Sequence, residues 1–253
     1  MKLAIAGKGG VGKTTLVGLL AREAVRHGYR VLVVDADPDA NLATTLGFPD
    51  PVAPLAEEQA LIAQRTGSGG FIRLNPTVDD IPGRYAVERD GVRLLVLGGV
   101  RGGGEGCACP ANVLLKALLD HLLLQERDAL LLDMEAGIEH LGRGTVRSVD
   151  ALLLIVESDR KTIETAERTV LLARDLGIEC VLAVANKVRD EAEISEIETA
   201  LPNDIHVIGA IPYLEELRLA ARRGPLPDEP PHEAFAALFE TLERKLAAPG
   251  THS

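Results

Sequence analysis

Near the amino terminus, Gly7-Lys8-Gly9-Gly10-Val11-Gly12-Lys13-Thr14 has the composition and spacing of a phosphate-binding loop. Glycines let successive backbone N–H groups converge on one anion without Cβ clashes, and a helix N-terminus behind them adds unpaired donors and a positive dipole end. In this pattern the backbone of Gly9, Gly10, Val11 and Gly12, then Lys13, Thr14 and Thr15, lines a triphosphate. Lys13 reaches its β- and γ-phosphates and the Thr14 hydroxyl ligands Mg²⁺. A second group is acidic. Asp35-Ala36-Asp37-Pro38-Asp39 follows one apolar run, and Asp133 closes another, Ala129-Leu130-Leu131-Leu132. Carboxylates at strand ends beside a phosphate loop belong to a nucleotide site, and Asp133 suits Mg²⁺ held through water. The third group is Gly106-Cys107-Ala108-Cys109-Pro110. Residues i and i+2 of an extended segment point the same way, so Cys107 and Cys109 can present two sulfurs on one face. Pro110 suits the first turn of a helix, whose N-terminus favours thiolates. Two thiolates are half of the usual four-ligand soft-metal site; a pair of free structural or redox thiols is the plainer reading.

These groups need strands to carry them. Seven apolar runs qualify by length and branching: Leu3–Ala6, Arg30–Asp35, Val92–Leu97, Ala129–Asp133, Ala151–Val156, Cys180–Ala185 and Ile205–Gly209. Helical segments separate them, among them 15–27, 111–124 and 162–176, the last with Val170, Leu171 and Leu172 expected to face inward. The pattern predicts an α/β fold, a doubly wound, mainly parallel sheet of about seven strands flanked by helices, in a single domain over 1–253. From about 49 to 90 periodicity is poor and turn residues abound, which reads as a loop-rich excursion from the sheet. Phe235, Leu238, Phe239, Leu242 and Leu246 form a stripe that should dock a closing helix on the sheet. Cys180 reads as a small core residue.

Composition excludes several classes. A formal net charge of −11 without a run of lysines or arginines argues against nucleic acid and against anionic membranes as partners. No apolar run approaches membrane-spanning length and the chain opens directly on a strand, so a cytoplasmic location is expected. Three cysteines do not make a disulfide framework and fit a reducing compartment.

Lys8 stands too early in its loop to serve its own nucleotide easily. With it, the loop resembles that of the deviant Walker A ATPases, the MinD/ParA group. The resemblance implies that Lys8 acts in catalysis by reaching across a dimer interface to the partner's nucleotide, hence a nucleotide-dependent homodimer. It implies that Asp37 is the switch I aspartate that orients the attacking water, that Asn186 reads the adenine edge, and that the Ile211-Pro212-Tyr213 loop covers the base.

A narrower resemblance comes from Asp133-Met134-Glu135-Ala136-Gly137-Ile138-Glu139-His140-Leu141-Gly142-Arg143-Gly144 together with Gly106-Cys107-Ala108-Cys109-Pro110. Jointly these are similar to the carbon monoxide dehydrogenase maturation ATPases, which deliver nickel to a Ni–Fe–S cluster. Gly137 would then offer its N–H to the γ-phosphate, within a switch II spanning 134–144. His140 is left out of the metal set, since a histidine in such a loop more often serves as a switch contact. A two-fold dimer axis would bring Cys107 and Cys109 of both subunits together, completing a four-sulfur site for Ni²⁺ or Zn²⁺. The implied cofactors are ATP/ADP and Mg²⁺, and the implied client is apo carbon monoxide dehydrogenase or a related Ni–Fe–S enzyme. Two rival readings stand beside this one: an iron–sulfur ATPase with a redox role, and a metal-free positioning switch of the MinD/ParA type.

Overall fold

The computed structural model describes residues 1–37, 39–67, 72–98, 110–123, 129–134, 149–227, 229 and 232–247. Its centre is a sheet in the order β3-β4-β2-β5-β1-β6-β7-β8. The strands are β1 (Lys2–Ala6), β2 (Val31–Asp35), β3 (Val87–Arg89), β4 (Val92–Val96), β5 (Ala129–Asp133), β6 (Ala151–Val156), β7 (Val181–Val188) and β8 (His206–Pro212). Every pairing is parallel except that of β3 with β4. The helices of the described residues are α1 (Lys13–Arg26), α2 (Leu42–Leu46), α3 (Gln59–Thr66), α4 (Ile81–Tyr85), α5 (Pro110–Leu123), α6 (Arg160–Leu176), α7 (Glu191–Ala200), α8 (Glu215–Arg223) and α9 (Ala234–Ala247).

The central strands are buried on both faces, and their alternation sorts side chains into two cores. Leu3, Ile5, Val33, Leu131 and Leu153 face α1 and α9, whose Leu16, Leu20, Phe235 and Phe239 fill that layer. Ala4, Val34, Leu132 and Leu154 face the opposite layer, with Leu114 and Leu118 of α5, Val170 of α6 and Ile197 of α7.

The sheet has one strand more than expected. Val87–Arg89 is three residues long with two exposed side chains, too short and too polar for a periodicity signal. It pairs antiparallel with β4 through a turn in which Asp90 (φ 50°) and Gly91 (φ 78°) both occupy the left-handed region, the hairpin geometry that Asp-Gly favours. Within 49–90, expected to be rich in loops, α3, α4 and β3 form, and Leu55, Leu61, Ile62, Val78 and Ile81 are buried in the second core. In α6, Val170 points in but Leu171 is 60% exposed, because consecutive helical residues lie about 100° apart and three in a row cannot share one face. Cys180 is half-buried rather than fully in the core, with burial raising its thiol pKa. The closing stripe docks as expected through Phe235, Leu238, Phe239 and Leu242. Among the described residues no helix is long and apolar enough to cross a membrane.

Candidate nucleotide site

Strand order reverses on either side of β1, and the loop after β1 opens at that crevice, where open parallel sheets bind ligands. Two glycines of the loop are dictated by space as well as by backbone. At Gly7 (φ 151°) a Cβ would lie 2.6 Å from the Ile155 carbonyl oxygen; at Gly12 (φ 99°), 2.7 Å from Asn186 Nδ2. Gly12 caps α1 in the left-handed conformation, so the helix starts at Lys13 with its first N–H groups facing the loop. Gly9, Gly10 and Val11 complete the curve, and Thr14 and Thr15 sit half-buried in the first turn of α1. Lys13 is only 7% exposed. Its ammonium donates to the carbonyl oxygens of Gly7 (3.0 Å) and Lys8 (3.4 Å), which holds a cation over the loop. Lys8 points outward and pairs with Asp159 at 3.4 Å. Asp159 in turn caps α6 by accepting from the N–H groups of Lys161 and Thr162 and from the Thr162 hydroxyl, which together with Lys8 hold its carboxyl below the usual range.

The carboxylates converge as the strand ends require. Asp35 and Asp133 are register partners at the carboxyl ends of β2 and β5. Asp133 is driven up to a pKa of about 7, chiefly by burial; the nearby Thr14 hydroxyl and Lys13 ammonium pull the other way, while Asp35 and Asp37 add to the rise. Despite Thr14's proximity, neither Asp133 oxygen has a partner in hydrogen-bond geometry among the described residues. A buried carboxylate without partners, next to a threonine hydroxyl and below a phosphate loop, is an oxygen donor set that fits Mg²⁺. Asp37 lies half-buried at the loop's edge, where its side chain accepts the Asp39 N–H at 2.9 Å.

At the far end of the crevice a cavity of about 460 Å³ is lined by Gly10, Gly12, Thr15, Asn186, Lys187, Pro212 and Tyr213 among others. Asn186 donates through Nδ2 to the Val11 carbonyl at 2.7 Å. Pro212 ends strand β8, so the expected base-covering loop is a strand end, with Tyr213 at the rim. The Tyr213 hydroxyl donates to Glu215 at 2.9 Å, and the Arg189 guanidinium lies 5.9 Å from its ring centre.

The structure thus gathers the loop, Lys8, Lys13, Asp37, Asp133, Asn186, Pro212 and Tyr213 along one edge of the sheet. Cys107, Cys109, Gly137 and His140 lie outside the described residues. Among the described residues no cluster of three or more metal-ligating side chains occurs. Sequence reasoning placed Asp35 among the strand-end carboxylates but gave it no role of its own, since its burial depends on both flanking strands, and it passed over the Lys187–Glu157 ion pair at 2.7 Å, whose partners are 30 residues apart. The Asn-Lys dipeptide is the one local signal for Lys187.

Residues 2–226 match the family described as CobQ/CobB/MinD/ParA nucleotide binding domain. The carbon monoxide dehydrogenase accessory protein CooC of Rhodospirillum rubrum is 40% identical over 96% of this chain and 97% of its own. An ATP-binding protein of Methanocaldococcus jannaschii is 42% identical over 86% of this chain and 87% of its own. Among solved structures, MinD of Pyrococcus horikoshii complexed with Mg-ADP superposes with a TM-score of 0.69 at 19% identity, covering 98% of both chains. MinD in the MinC:MinD complex of Aquifex aeolicus gives 0.68 at 21% identity, covering 96% of this chain and 94% of that one. The fold is therefore that of MinD, and the chain belongs to the CobQ/CobB/MinD/ParA nucleotide-binding family as a CooC-type ATPase.

Proposed function

We propose that this ATPase works as a single-domain homodimer that carries nickel and inserts it into the Ni–Fe–S cluster of carbon monoxide dehydrogenase or a related enzyme, in the cytoplasm. The observation that carries the reading is the coexistence of two features in one chain. A phosphate loop with Lys8, and the Cys107-Ala108-Cys109-Pro110 segment, stand in a sequence 40% identical along 96% of its length to a carbon monoxide dehydrogenase accessory protein. Pro110 begins α5, so the two cysteines immediately precede a helix N-terminus, which favours thiolates. Cys107 and Cys109 from each of two subunits make a four-sulfur donor set for Ni²⁺ (or Zn²⁺) as cargo.

In this mechanism the terminal phosphoryl group of ATP passes to water. Lys13, with Lys8 of the partner subunit, offsets charge on the phosphates, and the N–H groups of Gly9, Gly10, Val11 and Gly12 and of Gly137 fix their oxygens. Thr14 and Asp133 would hold Mg²⁺, which when bound neutralises phosphate charge. Asp37 orients the attacking water, and Asn186, Pro212 and Tyr213 hold the adenine.

The test is anaerobic nickel titration of wild type and a Cys107→Ser/Cys109→Ser variant, with native mass in ADP and in ATP. One Ni²⁺ per dimer, lost in the variant, supports the reading. Absence of thiol-dependent nickel binding in every nucleotide state overturns it; a brown protein with a broad visible band would point to an iron–sulfur cluster instead.

A further inference from the structure

Two consecutive residues of β7 hold two consecutive carbonyls of the phosphate loop. Asn186 Nδ2 donates to the Val11 oxygen at 2.7 Å, and Lys187 Nζ donates to the Gly10 oxygen at 2.7 Å. The same ammonium is anchored from the other side by Glu157 at 2.7 Å, at the end of β6. Side chains of adjacent strand residues ordinarily project to opposite faces, so this double grip needs a local device. It is a bulge. The β7–β8 register jumps from Asn186↔Ile211 to Val188↔Pro212, leaving Lys187 as the extra residue, and its φ of 58° lies in the left-handed region that a lysine adopts only where its surroundings hold it.

We infer that Lys187, braced by Glu157, is a positioning residue that orients the phosphate-loop backbone for the nucleotide's phosphates. Across a trans peptide C=O and N–H point in opposite directions, so carbonyls tied to β7 send the next N–H groups, those of Val11 and Gly12, to the concave side of the loop. The Val11 N–H does turn across the loop, to the Lys8 oxygen at 3.2 Å. A free loop with this many glycines samples many conformations; one charge-assisted bond at Gly10, where φ is 83°, removes most of that freedom before the anion arrives. The inference rests on nucleotide binding at this loop and is independent of the nickel reading.

The experiment is calorimetric titration of Mg-ADP and of magnesium pyrophosphate into wild type, Lys187→Met and Lys187→Gly. Methionine keeps an apolar stem and deletes both bonds of the ammonium, while glycine suits the left-handed backbone and separates loss of the side chain from strain. Both variants should bind ADP about tenfold more weakly, the scale of one hydrogen bond to a charged group, and pyrophosphate by the same factor. The melting temperature of Lys187→Gly should stay near that of wild type. ADP affinity within twofold of wild type in both variants overturns the inference, and so does a loss for ADP with none for pyrophosphate, which would locate Lys187 at the base. A wild type that binds neither ligand defeats the nucleotide reading itself, an outcome visible without any variant.

Discussion

Asp35 and Asp133 stand side by side at the ends of two paired strands, 0% and 1% exposed, yet they are held in opposite ways. Asp35 spends both oxygens on its own loop, accepting the N–H of Asp37 at 3.1 Å and of Leu42 at 3.0 Å. Among the described residues Asp133 has no such partners. One carboxylate therefore shapes the segment that carries Asp37, and the other is the one proposed above to hold Mg²⁺.

This pair makes the nucleotide-free protein pH-sensitive. Burial raises the Asp35 carboxyl from 3.8 to about 6 and that of Asp133 to about 7, so the fold favours their protonated forms. The stabilisation is complete below about pH 3.8 and is lost as pH rises through about 6 and then about 7. In EDTA, the melting temperature relative to Asp133→Asn should therefore fall between about pH 4 and pH 7. A difference that grows with pH over that range would contradict the assignment.

Asp37→Asn should separate binding from chemistry. The side chain sits at the edge of the crevice and accepts the Asp39 N–H, a bond that an asparagine oxygen can also accept. Hydrolysis is expected to fall by about 100-fold or more while ADP affinity stays within about twofold, as for loss of a group that handles the attacking water. Calorimetry beside a phosphate-release assay decides it; an equal fall in affinity would make Asp37 a binding residue.

Lys8 distinguishes stability from assembly. Its pair with Asp159 joins two side chains that are each more than a third exposed, at 3.4 Å, so Lys8→Ala should leave the melting temperature almost unchanged. ATP hydrolysis and the ATP-dependent shift in native mass should both be lost. Asp159→Ala should instead destabilise the fold by about 1 kcal/mol, because it removes the cap of α6. Full hydrolysis by Lys8→Ala would remove the case for a cross-subunit lysine.

Gly12→Ala tests the loop itself. The added methyl meets Asn186 Nδ2 at 2.7 Å, and φ of 99° is hostile to any Cβ. A destabilisation of about 1–3 kcal/mol by denaturant unfolding is expected, with loss of ADP binding. A variant that binds ADP normally would show that the loop relaxes at no cost.

The sequence determined what is local. Glycine spacing, short runs of aliphatic residues and the aspartates that close two of those runs are written within a few residues, and they sufficed for the parallel sheet, the phosphate loop and the ends of β2 and β5. Strand β3 was hidden because a three-residue edge strand with two exposed side chains has no hydrophobic period. The exposure of Leu171 was legible from helical spacing, since three consecutive positions cannot all face a core. What only the tertiary structure decided is non-local. Asp35 is buried and Asp133 left without partners because β5 is inserted between β1 and β2, and Lys187 grips Gly10 because a register jump against β8 turns it out of the ladder. Such properties depend on distances between residues 98 or 177 positions apart, which side-chain pattern along the chain does not encode.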